Sequence, residues 1–441
     1  MYSSKLISLL VCLGAGAALA ASVNSPVSFH KDVEPILQSR CQECHRAGEI
    51  APFSLLTYKE TRPWAKAIKA NVLSKNMPPW FADHQFGKFS NDRSLSEAEI
   101  NTLVAWADGG APEGDVKDAP KPRVFGAPGW NIQKPDLVIG MNKPFVVKAK
   151  EEIPYQYIVI PTNFTEDKWV QQMEVRPSNR QVVHHVVIFA RDPRSPWLRE
   201  AKPFEPYVPP GGGKDINVFS GGGNEFLLTW APGVVPESYP AGVAKLIKAG
   251  TDLVVQIHYT SLNQDAEDTT QIGLVFAPEK PKLRAYTMAA NNVAFKIPPG
   301  DPNFKVEAMK ATFNNGVEIL SYFPHMHLRG KSMEYRAVYP DGHSEVLMRV
   351  PKWHFYWQLD YKLQEPLILP PGVKIECTAY FDNSPNNTHN PDPTKEVRFG
   401  EQTFEEMMIG FYQIVMPADT NIRDFMRTTD IKPPTTTGGQ E

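Results

Sequence analysis

The chain has 441 residues, 42% of them hydrophobic, 11% aromatic and 22% charged, so it is too long for one hydrophobic core and too apolar to be disordered. Lys+Arg at 46 against Asp+Glu at 49 gives a formal net charge of −3, and the lack of any long block of like charge argues against a nucleic-acid partner. The 41 prolines, roughly 9% against a usual ~5%, favour strands, turns and extended loops over long helices, so a mainly β protein is expected.

In chain order, Met1 to Lys5 is a short basic n-region, Leu6 to Ala17 is apolar, and Ala18-Leu19-Ala20 is a small-x-small cleavage signal. Residues 1–20 therefore read as a secretory signal peptide, and the mature protein is expected in the periplasm or outside the cell. Val11 stands where a lipoprotein signal through Cys12 would need a small residue. No later stretch reaches ~18 consecutive apolar residues, so no membrane span is expected in the mature chain. Helical spacing is expected from Asp32 to about Gly48 and from Lys59 to Lys75, where Trp64, Ala67, Ile68 and Val72 line one face. A third helix opens on a capping box from Ser96 to Glu99, carries Ile100, Leu103, Val104 and Ala107 on one face, and stops at Gly109-Gly110. These elements define a helical domain over 27–114.

Residues 115–134 are rich in Pro, Gly and charge and read as a linker. Beyond them come short β-type runs, among them Tyr155 to Val159, Gln181 to Ala190, Asp252 to Thr260, Val317 to Tyr322 and Val373 to Phe381. This spacing predicts two antiparallel sandwiches, over 135–275 and 276–430, with a disordered tail over 431–441. A faint internal echo, Gly250 to Tyr259 against Gly372 to Phe381, pairs His258 with Tyr380. The Gly-rich stretches Pro209 to Asp215 and Ser220 to Asn224 are not phosphate loops, because Asp215 replaces the Ser or Thr that should follow the lysine.

Cys41-Gln-Glu-Cys44-His45 has the Cys-x-x-Cys-His arrangement that attaches a covalent c-type haem. The two thiols add to the vinyl groups and the histidine reaches the iron. Chance would produce this pattern in roughly one chain in a thousand. For the sixth ligand the favoured residue is Met77, on a segment stiffened by Pro78 and Pro79, with His84 and His30 as competitors. Residues Phe29 to Gly114 resemble a small class I cytochrome c domain.

Of 11 histidines, five lie in β-type runs: His184 and His185, His258, and His325 and His327. Residues i and i+2 of a strand face one side, so His325 and His327 can chelate one metal directly. His184 and His185 would face opposite sides, so shared ligation requires a bulge or a metal at the strand edge. Imidazole and thioether donors without carboxylates suit copper. Taken singly, each histidine reads more simply as a satisfied core or surface residue.

The flanking sequence changes that reading. Gln181-Val-Val-His184-His185-Val-Val-Ile-Phe189, Gln256-Ile-His258-Tyr259, His325-Met-His327-Leu-Arg-Gly-Lys331 and Glu405-Glu-Met407-Met follow one another in this order. From about Pro135 to Pro417 the chain resembles the copper type II, ascorbate-dependent monooxygenases, the family of peptidylglycine α-hydroxylating monooxygenase and dopamine β-monooxygenase. The resemblance implies two jelly-roll-like sandwiches, each with one copper, facing one another across solvent. It implies an electron-transfer copper at His184, His185 and His258, and an oxygen-binding copper at His325, His327 and Met407. It further implies ascorbate as reductant, which the expected haem on the same chain could replace or supplement. The peptide-binding arginine of the peptidylglycine enzymes is replaced by Phe323, and their Asn and Tyr after the methionine by Ile409 and Phe411. A small organic substrate other than a peptide C-terminus is therefore expected. Cys377 has no cysteine partner once haem attachment takes two thiols, and reads as a buried thiol; His343, His354 and His389 fall outside the motifs. The alternatives are a non-catalytic periplasmic electron-transfer or copper-binding protein, and a cytochrome joined to a recognition sandwich without copper.

Overall fold

The computed structural model describes residues 26–125, 129–210, 224–308 and 311–428. The expected signal peptide with Cys12, the expected tail and most of the Gly-rich stretch lie outside them.

The N-terminal part is helical, with α-helices over Glu34–Arg40, Ala65–Leu73 and Glu97–Asp108. The capping box forms as expected: Glu99 N–H donates to Ser96 Oγ at 3.2 Å, and Ser96 N–H donates to Glu99 Oε2 at 2.7 Å. The first helix stops at Arg40, short of the expected Gly48. There Gln42 turns inward and donates to the Leu55 carbonyl at 2.9 Å, and Gly48 takes a positive φ. The second is interrupted at Pro63, which has no N–H to continue an α-turn, leaving Tyr58–Thr61 and Ala65–Leu73 on either side of a 3-10 turn. Phe29, Leu37, Leu103 and Trp106 fill the core of this part.

The rest is mainly antiparallel β, and every expected strand is present. Strands Gln156–Pro161, Asp252–Tyr259, Val183–Arg191 and Glu225–Trp230 make a four-stranded sheet in that order. Its core is shared with strands Lys168–Arg176, Val243–Ile247 and Gln271–Phe276 of a second sheet. A six-stranded sheet built around Gly330–Val338 and Lys374–Phe381 shares a second core with strands Leu283–Asn292, Val317–His325 and Met408–Pro417. The two strands of the internal echo occupy interior positions in these two different sheets.

The expected division near residue 275 falls at the end of strand Gln271–Phe276, but the halves are not separate sandwiches. One nine-stranded sheet runs through both, because strand Val243–Ile247 pairs in parallel with strand Leu283–Asn292. Lys245 closes this seam from inside: its Nζ donates to the Phe226 and Leu227 carbonyls at 2.8 and 2.6 Å and to Thr287 Oγ1 at 2.6 Å. Arg284 pairs with Glu225 beside it.

Residues 115–125 and 129–134 contain no helix or strand beyond a single 3-10 turn at Val116–Asp118, and bend at Asn131 to Gln133. The helical part is nevertheless held by more than this tether. Trp80 packs in the second core with its ring 5.0 Å from that of Tyr361, and Asn91 Nδ2 donates to the Asp360 carbonyl at 2.7 Å. On its other side Glu49 meets Arg176 and Arg180 of the first half.

Cys377 is buried, as expected, against Gly410 on the strand that follows Met407. A Cβ at Gly410 would lie 2.5 Å from Cys377 Sγ. Gly410→Ala should therefore lower stability by about 1–3 kcal/mol, and Cys377→Ala in the same chain should recover part of the loss. A double-mutant cycle in denaturant unfolding measures this, and additive losses would contradict it.

Candidate metal centre

His184 and His185 lie side by side in strand Val183–Arg191, where regular alternation would send them to opposite faces. The strand pairing slips at this point: Val183 stands opposite Tyr259, whereas His185 stands opposite His258. The extra residue is a β-bulge, the irregularity that shared ligation requires. As a result, ligand atoms of His184, His185 and His258 all lie within 4.8 Å of one another. His184 Nδ1 is 3.0 Å from His185 Nδ1. That separation suits a hydrogen bond between the two rings.

His325 ends strand Val317–His325, and His327 lies just past it. Met326 between them is buried in the second core, so the alternation persists and the two imidazoles share a side, with ring centroids 5.3 Å apart. The Glu406 carboxylate takes over where the strand stops. It accepts from His327 N–H at 2.8 Å and from Arg329 N–H at 2.6 Å. Arg329 in turn donates to Asn383 Oδ1 and to the Phe404 carbonyl, both at 2.9 Å. Burial pushes the Glu406 carboxyl up, opposed by these two amides and by the Arg329 charge. Met407, the next residue, is buried with Phe323, Ile409 and Phe411 in one apolar cluster.

The two histidine sets are not separated by solvent, which corrects the arrangement implied by the resemblance. The ring of His185, which is buried, meets that of the half-buried His325 edge-on at 6.1 Å. Burial brings His184 and His325 down to about 4, and puts His185, His258 and His327 well below the usual histidine range. All five are neutral imidazoles near pH 7, the form that binds metal.

Their hydrogen bonds show which atoms remain available. His327 Nδ1 is 3.3 Å from the Glu405 carbonyl, which can only accept, so Nδ1 carries the proton and Nε2 the lone pair. That Nε2 is buried without a hydrogen-bond partner among the described residues, and so are His184 Nε2 and His258 Nδ1. Each such orphan costs about 1–3 kcal/mol unless something outside the protein satisfies it. The donor set, five imidazoles with no carboxylate side chain among them, and with Met407 in the apolar cluster whose Phe411 ring lies 6.4 Å from that of His325, fits copper.

Sequence reasoning missed the residues that shape the centre. Phe355 stacks on His184 at 4.5 Å, Tyr155 is edge-on to His258 at 4.7 Å, and Gln358 reaches His325. The one signal of the first and last was the aromatic run from Trp353 to Gln358. Outside the centre, His343 pairs with Asp341 at an exposed turn, and His354 and His389 approach one another at 6.2 Å between ring centroids.

In the helical part, Cys41 and Cys44 are free thiols and Cys44 borders a cleft shared with Arg93, Arg180 and Trp230. His45 Nδ1 lies 3.3 Å from the Phe53 carbonyl, which leaves Nε2 with the lone pair, and burial holds the ring's pKa down. These three residues fit a c-type haem. His30 is engaged with Glu34 at 2.8 Å, and His84 is largely exposed beside Asp92. Met77 is half-buried on the segment that Trp80 anchors.

No family model matches the chain, and no curated protein matches it. Among solved structures, the Gx strain of infectious bursal disease virus aligns over 67% of this chain and 75% of that one, at 9% identity and a TM-score of 0.20. PNGF-II aligns over 64% and 65%, at 7% identity and a TM-score of 0.26. Likeness at this level carries no argument. Among the described residues no helix is long and apolar enough to cross a membrane.

Because protons compete for the imidazoles only near pH 4 at His184 and His325, copper retention should stay level from pH 7.5 to 5.5 and fall as pH approaches 4. Equilibrium dialysis across this range tests it; half-loss near 6.5 would mean that the rings titrate as in water.

Proposed function

We propose that the chain is an exported copper- and haem-containing monooxygenase that hydroxylates a C–H bond of a small organic molecule. The balance is R–H + O2 + 2 e⁻ + 2 H⁺ → R–OH + H2O, so two electrons must come from a donor other than the substrate. The reading rests on one observation above all: five imidazoles drawn from both halves of the chain share one largely buried site in which three ring nitrogens lack hydrogen-bond partners among the described residues.

Copper, when bound, supplies one-electron chemistry between Cu(I) and Cu(II), and a thioether ligand favours the reduced form. His325, His327 and Met407 are assigned to the copper that meets oxygen, and His184, His185 and His258 to the copper that delivers an electron. A c-type haem on Cys41, Cys44 and His45, with Met77 as sixth ligand, supplies a one-electron carrier on the same chain, in place of or beside ascorbate.

The chain's own residues set the conditions. Glu406 holds the backbone of His327 and Arg329, which ties the His-x-His segment to the residue preceding Met407. Phe323, Ile409 and Phe411 give that side an apolar wall. A peptide carboxylate would meet Phe323 in place of an arginine, which favours an uncharged substrate. The contacts of Trp80 and Asn91 keep the Cys-x-x-Cys-His part against the β part.

The protein isolated from an exporting host should carry haem that survives denaturing electrophoresis, and the Cys41→Ser, Cys44→Ser double variant should lose it. Haem staining of gels decides this. Copper loading followed by dialysis and metal analysis should give two coppers per chain. The reduced, loaded protein should consume oxygen with small aromatic or aliphatic substrates, and Met407→Ala should cut that uptake by at least tenfold. Two coppers without substrate-dependent uptake would favour the electron-transfer alternative, and no copper at all would remove both.

A further inference from the structure

The segment from Trp353 to Gln358 lies across the metal centre and touches both histidine sets. Trp353 Nε1 donates to the Pro324 carbonyl at 3.3 Å, next to His325. Phe355 stacks flat on His184, with planes 22° apart. Gln358, 2% exposed, approaches His325 Nδ1 with its Oε1 at 2.6 Å. The amide orientation is determined by its other end: Gln358 Nε2 donates to the Phe355 carbonyl at 3.3 Å, which only an NH2 group can do. The oxygen therefore faces His325, and an amide oxygen only accepts. His325 Nδ1 must carry the proton, and its Nε2 carries the lone pair.

We propose that Gln358 is a positioning residue for the oxygen-side copper: it selects the Nε2-ligating tautomer of His325 and so sets the affinity and potential of that copper. The proposal rests on the copper reading above. His325 needs such a partner more than His327 does, because His327 is held by a backbone carbonyl and by the Glu406 clamp on its own amide. A partner hydrogen-bonded to the far nitrogen of a ligating histidine typically contributes 10- to 100-fold in metal affinity.

The same segment leads straight into the docking site of the helical part. Asn91 donates to the Asp360 carbonyl, and its Oδ1 accepts from Lys362 N–H at 3.0 Å, two and four residues beyond Gln358. The haem-bearing part is thus braced against the strand whose preceding loop holds His325.

The test uses the full chain with copper titrated under competition by a chelator, and electron paramagnetic resonance at each step. Gln358→Leu should weaken one of the two coppers by 10- to 100-fold, while the signal of the His184, His185 and His258 site stays as in the unaltered protein. Gln358→Glu keeps an acceptor on Nδ1 and makes the ring a stronger donor, so it should retain both coppers and lower the potential of the copper held by His325. Equal affinity of both coppers in Gln358→Leu would overturn the proposal. So would loss of copper in Gln358→Glu, since a purely packing role would make the buried charge as damaging as the leucine. If Gln358→Leu fails to fold, the potential measured in Gln358→Glu decides alone. An unaltered protein that binds no copper refutes the underlying reading instead, and the two failures are thereby told apart.

Discussion

Two residue pairs, Leu283 with Val243 and Arg284 with Ala244, join the two β halves in parallel and make one sheet of what would otherwise be two sandwiches. The rest of the arrangement depends on this seam. Lys245 buries its ammonium there, with a pKa brought down to about 8 by burial, and bonds to strands on both sides. A buried ammonium holding three acceptors resists sliding, because any shift leaves a desolvated charge unpaired. Rigid registration of the halves is what allows His185 of one and His325 of the other to meet at 6.1 Å.

The centre itself is costly to the protein alone. Five imidazoles are withdrawn from water far enough to stay neutral, and three of their nitrogens find no partner among the described residues. Burial of such groups without satisfaction opposes folding. The surroundings spend further polar groups to hold this geometry: a carboxylate on two backbone amides, an arginine on Asn383 and Phe404, and a glutamine on His325. This concentration of structure around unsatisfied donors is the physical case for metal, and the absence of carboxylate side chains from the donor set is the case for copper over harder cations.

Attachment of the helical part follows the same logic of specific contact. A tether alone would raise the local concentration of one part near the other without orienting it. Here Trp80 and Phe89 pack on Tyr361, and Glu49 sits among arginines of the first half, so orientation is defined as well. The anchored segment carries Met77 at its start, which joins the expected sixth-ligand loop to the β part.

Much of this is legible in the amino-acid sequence alone. Composition and spacing indicated a mainly β chain with a helical N-terminal part, because alternation, proline content and the Ser96 capping box are local properties. The five histidines and Met407 could be singled out only through the resemblance of their flanking motifs to the copper monooxygenases, since an adjacent or i, i+2 histidine pair is by itself a weak signal. The pairing of His184 with His185 was legible only as a condition, that a bulge must exist, since the slip opposite His258 is a property of two strands and not of one. Three further features belong to tertiary structure alone: the shared sheet, the contact between His185 and His325, and the hold of Gln358 on a histidine 33 residues earlier in the chain. Each arises from groups far apart in sequence that meet only once the seam has brought the halves together, and no local periodicity encodes a distance between two sheets.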